Sequence, residues 1–290
     1  MDAISVAVVR HGVVEAVHTV HAAAVQDRTL VAAAGDPGLV TYFRSSAKPL
    51  QALPVARARD DLDDRDLAIA SASHLATPDQ LAAVRALLAK APATEDDLEC
   101  GPEPTRIQHN CSGKHAGMLA LCRAEGWPLE GYRLAEHPVQ RGCLAEVAAA
   151  AEVDPESIPT SVDGCGVVTF ALPLERMARA FSRLESLDAG ARVAAAMRAH
   201  PDLVRGPLSP DTRLMETLPG WTAKVGAEGI VCAAGPDGLG VALKCTDGAG
   251  RPLEQALRSF LAALSVDFPQ TAPEVVRNSR GEAVGEVVVL

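Results

Sequence analysis

The two ends of the chain alternate apolar and polar residues, while its middle repeats apolar residues at helical spacing. Val6 and Val8, then the run from Val13 to Val25, flank His11-Gly12 and predict an N-terminal β-hairpin. A second hairpin is predicted over residues 30–43, turning at Gly35-Asp36-Pro37-Gly38. Thr77-Pro78-Asp79-Gln80 combines an N-cap, a proline at the first helical position and a capping-box glutamine. Leu81, Val84 and Leu88 follow on one face. Further helices are predicted from Ser112 to just before Gly126, and over residues 139–151, 172–184 and 191–199. Strands return at residues 222–225, 230–234 and 239–245, the last two joined by Pro236-Asp237-Gly238. A helix at 253–265 and a strand at 284–289 complete the pattern.

Strands at both ends around a helical middle predict one antiparallel sheet assembled from both termini. That is an α+β fold, not a βαβ Rossmann arrangement. The expected organisation is a single catalytic domain over residues 1–290, with a β-rich lobe (about 1–45 and 220–290) and a helical lobe (about 46–219). The proline-rich stretches 153–159 and 201–219 read as loops, the second long enough to mark a functional segment.

Composition narrows the function. With 290 residues and 48% hydrophobic content, the chain has material for a substantial core. Aromatics at 3% and a net charge of −10 exclude a nucleic-acid partner. No apolar run is long enough to span a bilayer, and the opening strand lacks the basic flank of a signal peptide. Seven cysteines without a CxxC pair read as reduced thiols, and the expected location is the cytoplasm.

Lysine use is selective. Arginine supplies 22 of the 27 basic residues, and three of the five lysines sit in compact polar motifs. Unlike arginine, a buried lysine loses its proton near neutral pH and becomes a base. In Ser45-Ser46-Ala47-Lys48-Pro49 the spacing places Ser45 and Lys48 one helical turn apart, and Pro49 requires the helix to start at or near Ser45. Ser45 then lies at the positive end of the helix dipole, where a developing alkoxide is favoured. The plain alternative is a capping serine with a solvated lysine. Ser71-Ala72-Ser73-His74 ends an apolar strand-like run and brings a second hydroxyl, Ser73, to a helix mouth.

His109-Asn110-Cys111-Ser112-Gly113-Lys114-His115 is the densest polar cluster. Cys111-x-x-Lys114 reads as a second nucleophile–amine pair, as two ligands of a soft metal with Cys165 as third, or as a helix cap with a buried thiol. Asp163-Gly164-Cys165-Gly166 is a tight turn whose aspartate suits an ammonium group. Lys224-Val225-Gly226 lies on a predicted strand, and with the SxxK motif it is similar to the SxxK and KTG pair of penicillin-recognising serine enzymes.

Taken together, five blocks resemble the rhizobial-type L-asparaginases, the asparaginase II family. They are Arg44 to Pro54, Asn110 to Met118, Asp163 to Gly166, Asp211-Thr212-Arg213-Leu214-Met215, and Ala223 to Gly229, in unchanged order. The resemblance implies a fold like serine β-lactamases and glutaminases, and two Ser–Lys pairs in one pocket. Ser45 with Lys48 matches the first pair and Ser73 with Lys224 the second. It also implies a Zn2+ site on Cys111, Lys114 and Cys165, and substrate contacts from Arg44, Asn110 and Asp163. One departure stands out: the family reads Ser-His-Ser-Gly-Glu at the second serine, whereas this chain reads Ser73-His74-Leu75-Ala76-Thr77.

The expected activity is hydrolysis of L-asparagine to aspartate and ammonia through a serine acyl-enzyme, by a homodimer. Two alternatives stay open: a penicillin-recognising hydrolase on the same fold, and a catalytically weak homologue that binds metal and asparagine.

Overall fold

A computed structural model describes residues 1–270 and 275–290. Its main sheet contains strands β1 (Ile4–Arg10), β2 (Val13–Gln26) and β3 (Thr29–Ala34). A smaller sheet contains β4 (Val40–Tyr42), β5 (Thr160–Val162) and β6 (Val168–Pro173). The C-terminal part adds β7 (Thr222–Gly226), β8 (Ile230–Ala234), β9 (Gly240–Cys245), β10 (Val275–Arg277) and β11 (Ala283–Val289) to the main sheet. The main order is β10-β11-β1-β2-β9-β8-β7, and all its pairings are antiparallel. β2 is long enough to carry β1 along its first half and β3 along its second, with β9 on the opposite edge. The sheet therefore comes from both ends of the chain, and the fold is α+β.

Alternation along these strands separates two apolar cores. Ala22, Ala24, Val231, Ala233, Val241 and Leu243 face one side, against the helix Leu253–Ala263. Ala23, Val25, Cys232, Ala234 and Ala242 face the other, against the helix Leu174–Ser182 and the helical middle. Period-two alternation sends each neighbour to the opposite core. Gly240 lets the Leu174–Ser182 helix approach closely, since a Cβ there would stand 2.1 Å from the Ala178 carbonyl oxygen. Among the described residues no helix is long and apolar enough to cross a membrane.

Four local expectations change. Residues 30–43 do not form a hairpin: β3 pairs with β2, while β4 pairs with β6 in the sheet β4-β6-β5. Asp36 caps its own turn through Gly38 N–H at 2.8 Å, and the chain leaves the main sheet there. The Pro37 and Leu39 carbonyls then accept from Glu175 and Leu174 N–H, which ties the segment to the end of β6. Residues 172–173 end β6, so the helix begins at Leu174. The apolar run before Ser71 is the helix Asp64–Ala70, because Asp63 and Asp66 form a reciprocal capping box at its start. The stretch 201–219 holds the helices Pro201–Val204 and Pro210–Thr217, each opening on its proline.

Candidate active site

The Arg44–Ala47 turn is a 3₁₀ helix that runs directly into the helix Lys48–Gln51, so helical structure starts where Pro49 requires it. Arg44 adopts φ of +50°, a left-handed conformation that non-glycine residues enter at a cost of about 1–3 kcal/mol. That strained residue stands immediately before Ser45. The half-buried Ser45 lines a cavity of about 290 Å³ together with Arg44, Asn110, Cys111, Asp163, Cys165 and Ala227.

Three charged side chains, Arg44, Glu103 and Asp163, line this cavity, and two of them are bonded to each other. Arg44 Nε donates to Asp163 Oδ1 at 2.8 Å. Asp163 also accepts from Gly164 N–H at 2.8 Å and belongs to the turn closed by Gly166 N–H on its carbonyl. Burial opposes ionisation of Asp163, but Lys114, the Gly164 N–H and Arg44 outweigh it and hold the carboxyl below its ordinary value. The site therefore presents a fixed positive and a fixed negative charge side by side, which complements an α-amino acid zwitterion.

Behind the cavity lies Lys48, fully buried. Its ammonium donates to the Ala72 carbonyl, to Ser73 Oγ at 2.9 Å and to Cys111 Sγ at 3.2 Å. These three acceptors match its three N–H bonds. Ser45 is not among them, so the serine in direct contact with Lys48 is Ser73. Burial pulls the Lys48 amine below its ordinary value; the Cys111 thiol opposes this and the Lys114 charge adds to it. Ser73 is fixed from both sides of its peptide, donating N–H to the Val204 carbonyl at 2.8 Å and accepting from Arg205 at 2.8 Å.

Lys224 stands on β7 and is also fully buried. Its neighbour Ala223 faces the Leu253–Ala263 helix, so alternation turns Lys224 toward the helical side. Its amine lies 3.4 Å from Asp211 Oδ2 and donates to the Val225 carbonyl at 2.9 Å. Burial lowers it to about 8, with Asp211 opposing and Lys48 adding to the shift. The structure thus brings Ser45, Lys48, Ser73 and Lys224 into one region, but the hydrogen bonds join Lys48 to Ser73 and Lys224 to Asp211.

Asp211 was visible in sequence only as part of a matching block, with no role attached. Its buried carboxylate accepts from Ser209 Oγ at 2.5 Å, Thr212 N–H at 2.9 Å and Val225 N–H at 2.9 Å, besides facing Lys224. Its place in the first turn of a proline-initiated helix was the available signal.

The helix Ser112–Glu125 carries the third lysine. Gly113 allows it to lie against the Asp64–Ala70 helix, since a Cβ there would meet the Ile69 carbonyl at 2.2 Å. That approach sets Ser112 and Lys114. Ala76 N–H donates to His74 Nδ1 at 3.1 Å, which places the ring proton on Nε2, facing Ser112 Oγ at 2.7 Å; Ser112 in turn donates to the Ile107 carbonyl. Burial, then the Lys48 charge, lowers His74 to about 4, so it stays neutral. Lys114 Nζ lies 3.1 Å from Cys165 Sγ. Burial alone would lower Lys114, but Cys165, Cys111 and Asp163 raise it above its ordinary value. Cys165 is held well below the usual thiol range, first by a hydrogen bond from Cys111 and then, against burial, by Lys114. Two buried thiols and a buried lysine converge, a donor set that would suit a borderline-soft divalent ion such as Zn2+ only once Lys114 gives up its proton.

Leu75, where the sequence departs from the family pattern, is exposed on the wall of a separate cavity of about 310 Å³. Arg205, Pro210, Val225 and Leu253 also line it.

A buried amine on a hydroxyl therefore lies near a bonded pair of opposite charges. The family model of L-asparaginase II matches residues 6–289, nearly the whole chain. The chain belongs to the L-asparaginase II family and is an amidohydrolase acting on the asparagine amide. No curated protein matches it significantly. Among solved structures it is similar to the crystal structure of SurE with D-Leu, at 16% identity and TM-score 0.44, covering 91% of this chain and 81% of that one. A second crystal structure of SurE matches at 15% identity and TM-score 0.42 over the same shares. Likeness at this level decides nothing about the fold.

Proposed function

We propose that the chain hydrolyses L-asparagine to L-aspartate and ammonia through a serine acyl-enzyme. The observation that carries this reading is the Arg44–Asp163 pair beside Ser45 in the cavity, with Lys48 buried behind it. Arg44 receives the α-carboxylate, Asp163 the α-ammonium, and Asn110 the side-chain amide. Ser45 attacks the amide carbon; its proton passes to the neutral Lys48 amine and then to the departing ammonia. Backbone N–H groups at the start of the Ser45 helix and along β7 stabilise the oxyanion. Burial and the Lys114 charge hold the Lys48 amine low, and Ser73 and Lys224 relay protons around it.

A second assignment within the same chemistry has its own support. Ser73 Oγ already contacts Lys48 at 2.9 Å, whereas Ser45 does not, so Ser73 is the rival site of acylation. Quenched asparagine turnover analysed by peptide mass spectrometry separates the two. An aspartyl adduct on Ser45 and loss of ammonia release in Ser45→Ala support the first. Full activity in Ser45→Ala overturns it.

Cys111, Lys114 and Cys165 would hold Zn2+, which when bound supplies a Lewis acid and fixes the Asp163 turn. The fold is assigned to the serine β-lactamase and glutaminase type. Its support is an antiparallel sheet built from both termini, a serine opening the first helix after β4, and a lysine on the strand β7. One catalytic domain with sheet and helical lobes, assembled as a homodimer, completes the reading. Light scattering at twice the 30.2 kDa chain mass tests the assembly. Fluorescent penicillin labelling of Ser45 would favour the penicillin-recognising alternative instead.

A further inference from the structure

Away from the active-site cavity, the sheet brings together a second set of metal-ligating side chains. β2 and β9 pair with Val20 opposite Cys245, and the Thr246 N–H continues the ladder onto the Thr19 carbonyl. That register sets Asp247 across from His18. Residues two apart on a strand share a face, so His18, Cys245 and Asp247 project to the same side. His18 Nδ1 lies 2.7 Å from Asp247 Oδ2, and Cys245 Sγ donates to Asp247 Oδ1 at 2.9 Å. Ligand atoms of all three lie within 4.8 Å of one another. The Ala249 N–H donates to the same carboxylate at 2.9 Å and orients it, as outer hydrogen bonds do for metal-binding carboxylates. His18 Nε2 is buried and unpaired, so the ring is anchored only through Nδ1, the atom that faces the other two groups.

We propose that His18, Cys245 and Asp247 form a binding site for one divalent transition ion, Zn2+ or Co2+, separate from Cys111, Lys114 and Cys165. One imidazole, one thiolate and one carboxylate are the donor set that zinc prefers, and the sulfur and nitrogen disfavour magnesium and calcium. Asp247 is half exposed, which leaves a fourth position open to solvent. Binding breaks the Cys245 S–H bond, releases that proton to water and forms a sulfur–metal bond. A thiol must lose its proton to ligate, so affinity rises with pH. The bound ion ties β2 to the turn after β9. Gly248 of that turn packs against Glu228, next to Ala227 on the cavity wall, so the ion braces the wall from behind.

The test is titration of the metal-stripped full chain with Co2+, read by equilibrium dialysis and by the thiolate-to-cobalt absorption band. A Cys111→Ser, Cys165→Ser double variant is expected to keep one bound equivalent and the band. Adding Cys245→Ser or His18→Gln abolishes both, with His18→Gln guarding against misfolding of the buried cysteine variant. Failure of the folded double variant to bind Co2+, or a band that survives both further substitutions, overturns the proposal.

Discussion

Two fully buried lysines, Lys48 and Lys224, are held by partners of different kinds. Lys48, on the helical side, is held only by a carbonyl, a hydroxyl and a thiol. Lys224, on the sheet side, is held by the buried carboxylate of Asp211. Both are lowered first by burial; the Asp211 carboxylate opposes this at Lys224, and the Cys111 and Cys165 sulfurs oppose it at Lys48. A buried amine without a carboxylate beside it gives up its proton more readily. One with a buried carboxylate also keeps a structural duty. The same residue type is thus buried twice beside partners of different chemistry.

The contrast is easiest to break at Lys48. Lys48→Met is expected to lower kcat by roughly 10²–10⁴-fold, the usual contribution of a positioned general base. Its melting temperature should hold or rise, because an apolar isostere replaces a buried cation. Ammonia release and thermal unfolding on one preparation check both.

Asp211→Ala should act the other way round. It leaves Lys224 buried without its anion and is expected to destabilise the chain by about 3–5 kcal/mol. Urea unfolding reads this directly. Little change in stability would reduce Lys224 to a second Lys48.

A pH series sharpens the same point. The Lys224 amine titrates at about 8 in the fold and at 10.5 when unperturbed. Below about pH 8 both states carry the proton. Between 8 and 10.5 the unfolded chain binds it and the folded chain does not, so stability rises with pH across that window. The total is about 3 kcal/mol at 1.36 kcal/mol per unit. Urea midpoints at pH 7.5 and 10 should differ in this sense, and Lys224→Met should remove most of the slope.

The smallest expected effect concerns the charges at the cavity rim. Asp163→Asn keeps the shape of the turn and removes one charge-assisted contact to Arg44. The KM for asparagine should rise roughly tenfold, in keeping with charged hydrogen bonds of about 1.5–3 kcal/mol, with a lesser change in kcat. A loss confined to kcat would place Asp163 in the chemistry rather than in binding.

Local signals were legible where a few neighbouring residues settle the outcome. Thr77 and Gln80 form the reciprocal capping box that their spacing predicts. Pro49 located the start of the first helix, and Gly126 ends the Ser112–Glu125 helix in a left-handed cap. The helix before Ser71 escaped the pattern because four consecutive apolar residues are too few to separate strand from helix by period. The hairpin at 30–43 was misread because its turn residues fit, while the partner of β4 lies far along the chain.

Sequence alone determined the capped helices, the alternating strands, the five ordered blocks and, through them, the asparagine-amide chemistry. Only tertiary structure decided which hydroxyl meets which amine. Lys48 sits three residues from Ser45 yet contacts Ser73, Ala72 and Cys111, which arrive from other segments. Burying an ammonium requires acceptors for all its protons, and only packing of distant segments brings three of them to one point. Asp211 likewise reaches Lys224 through the join of its helix to β7, a contact that no spacing along the chain could announce.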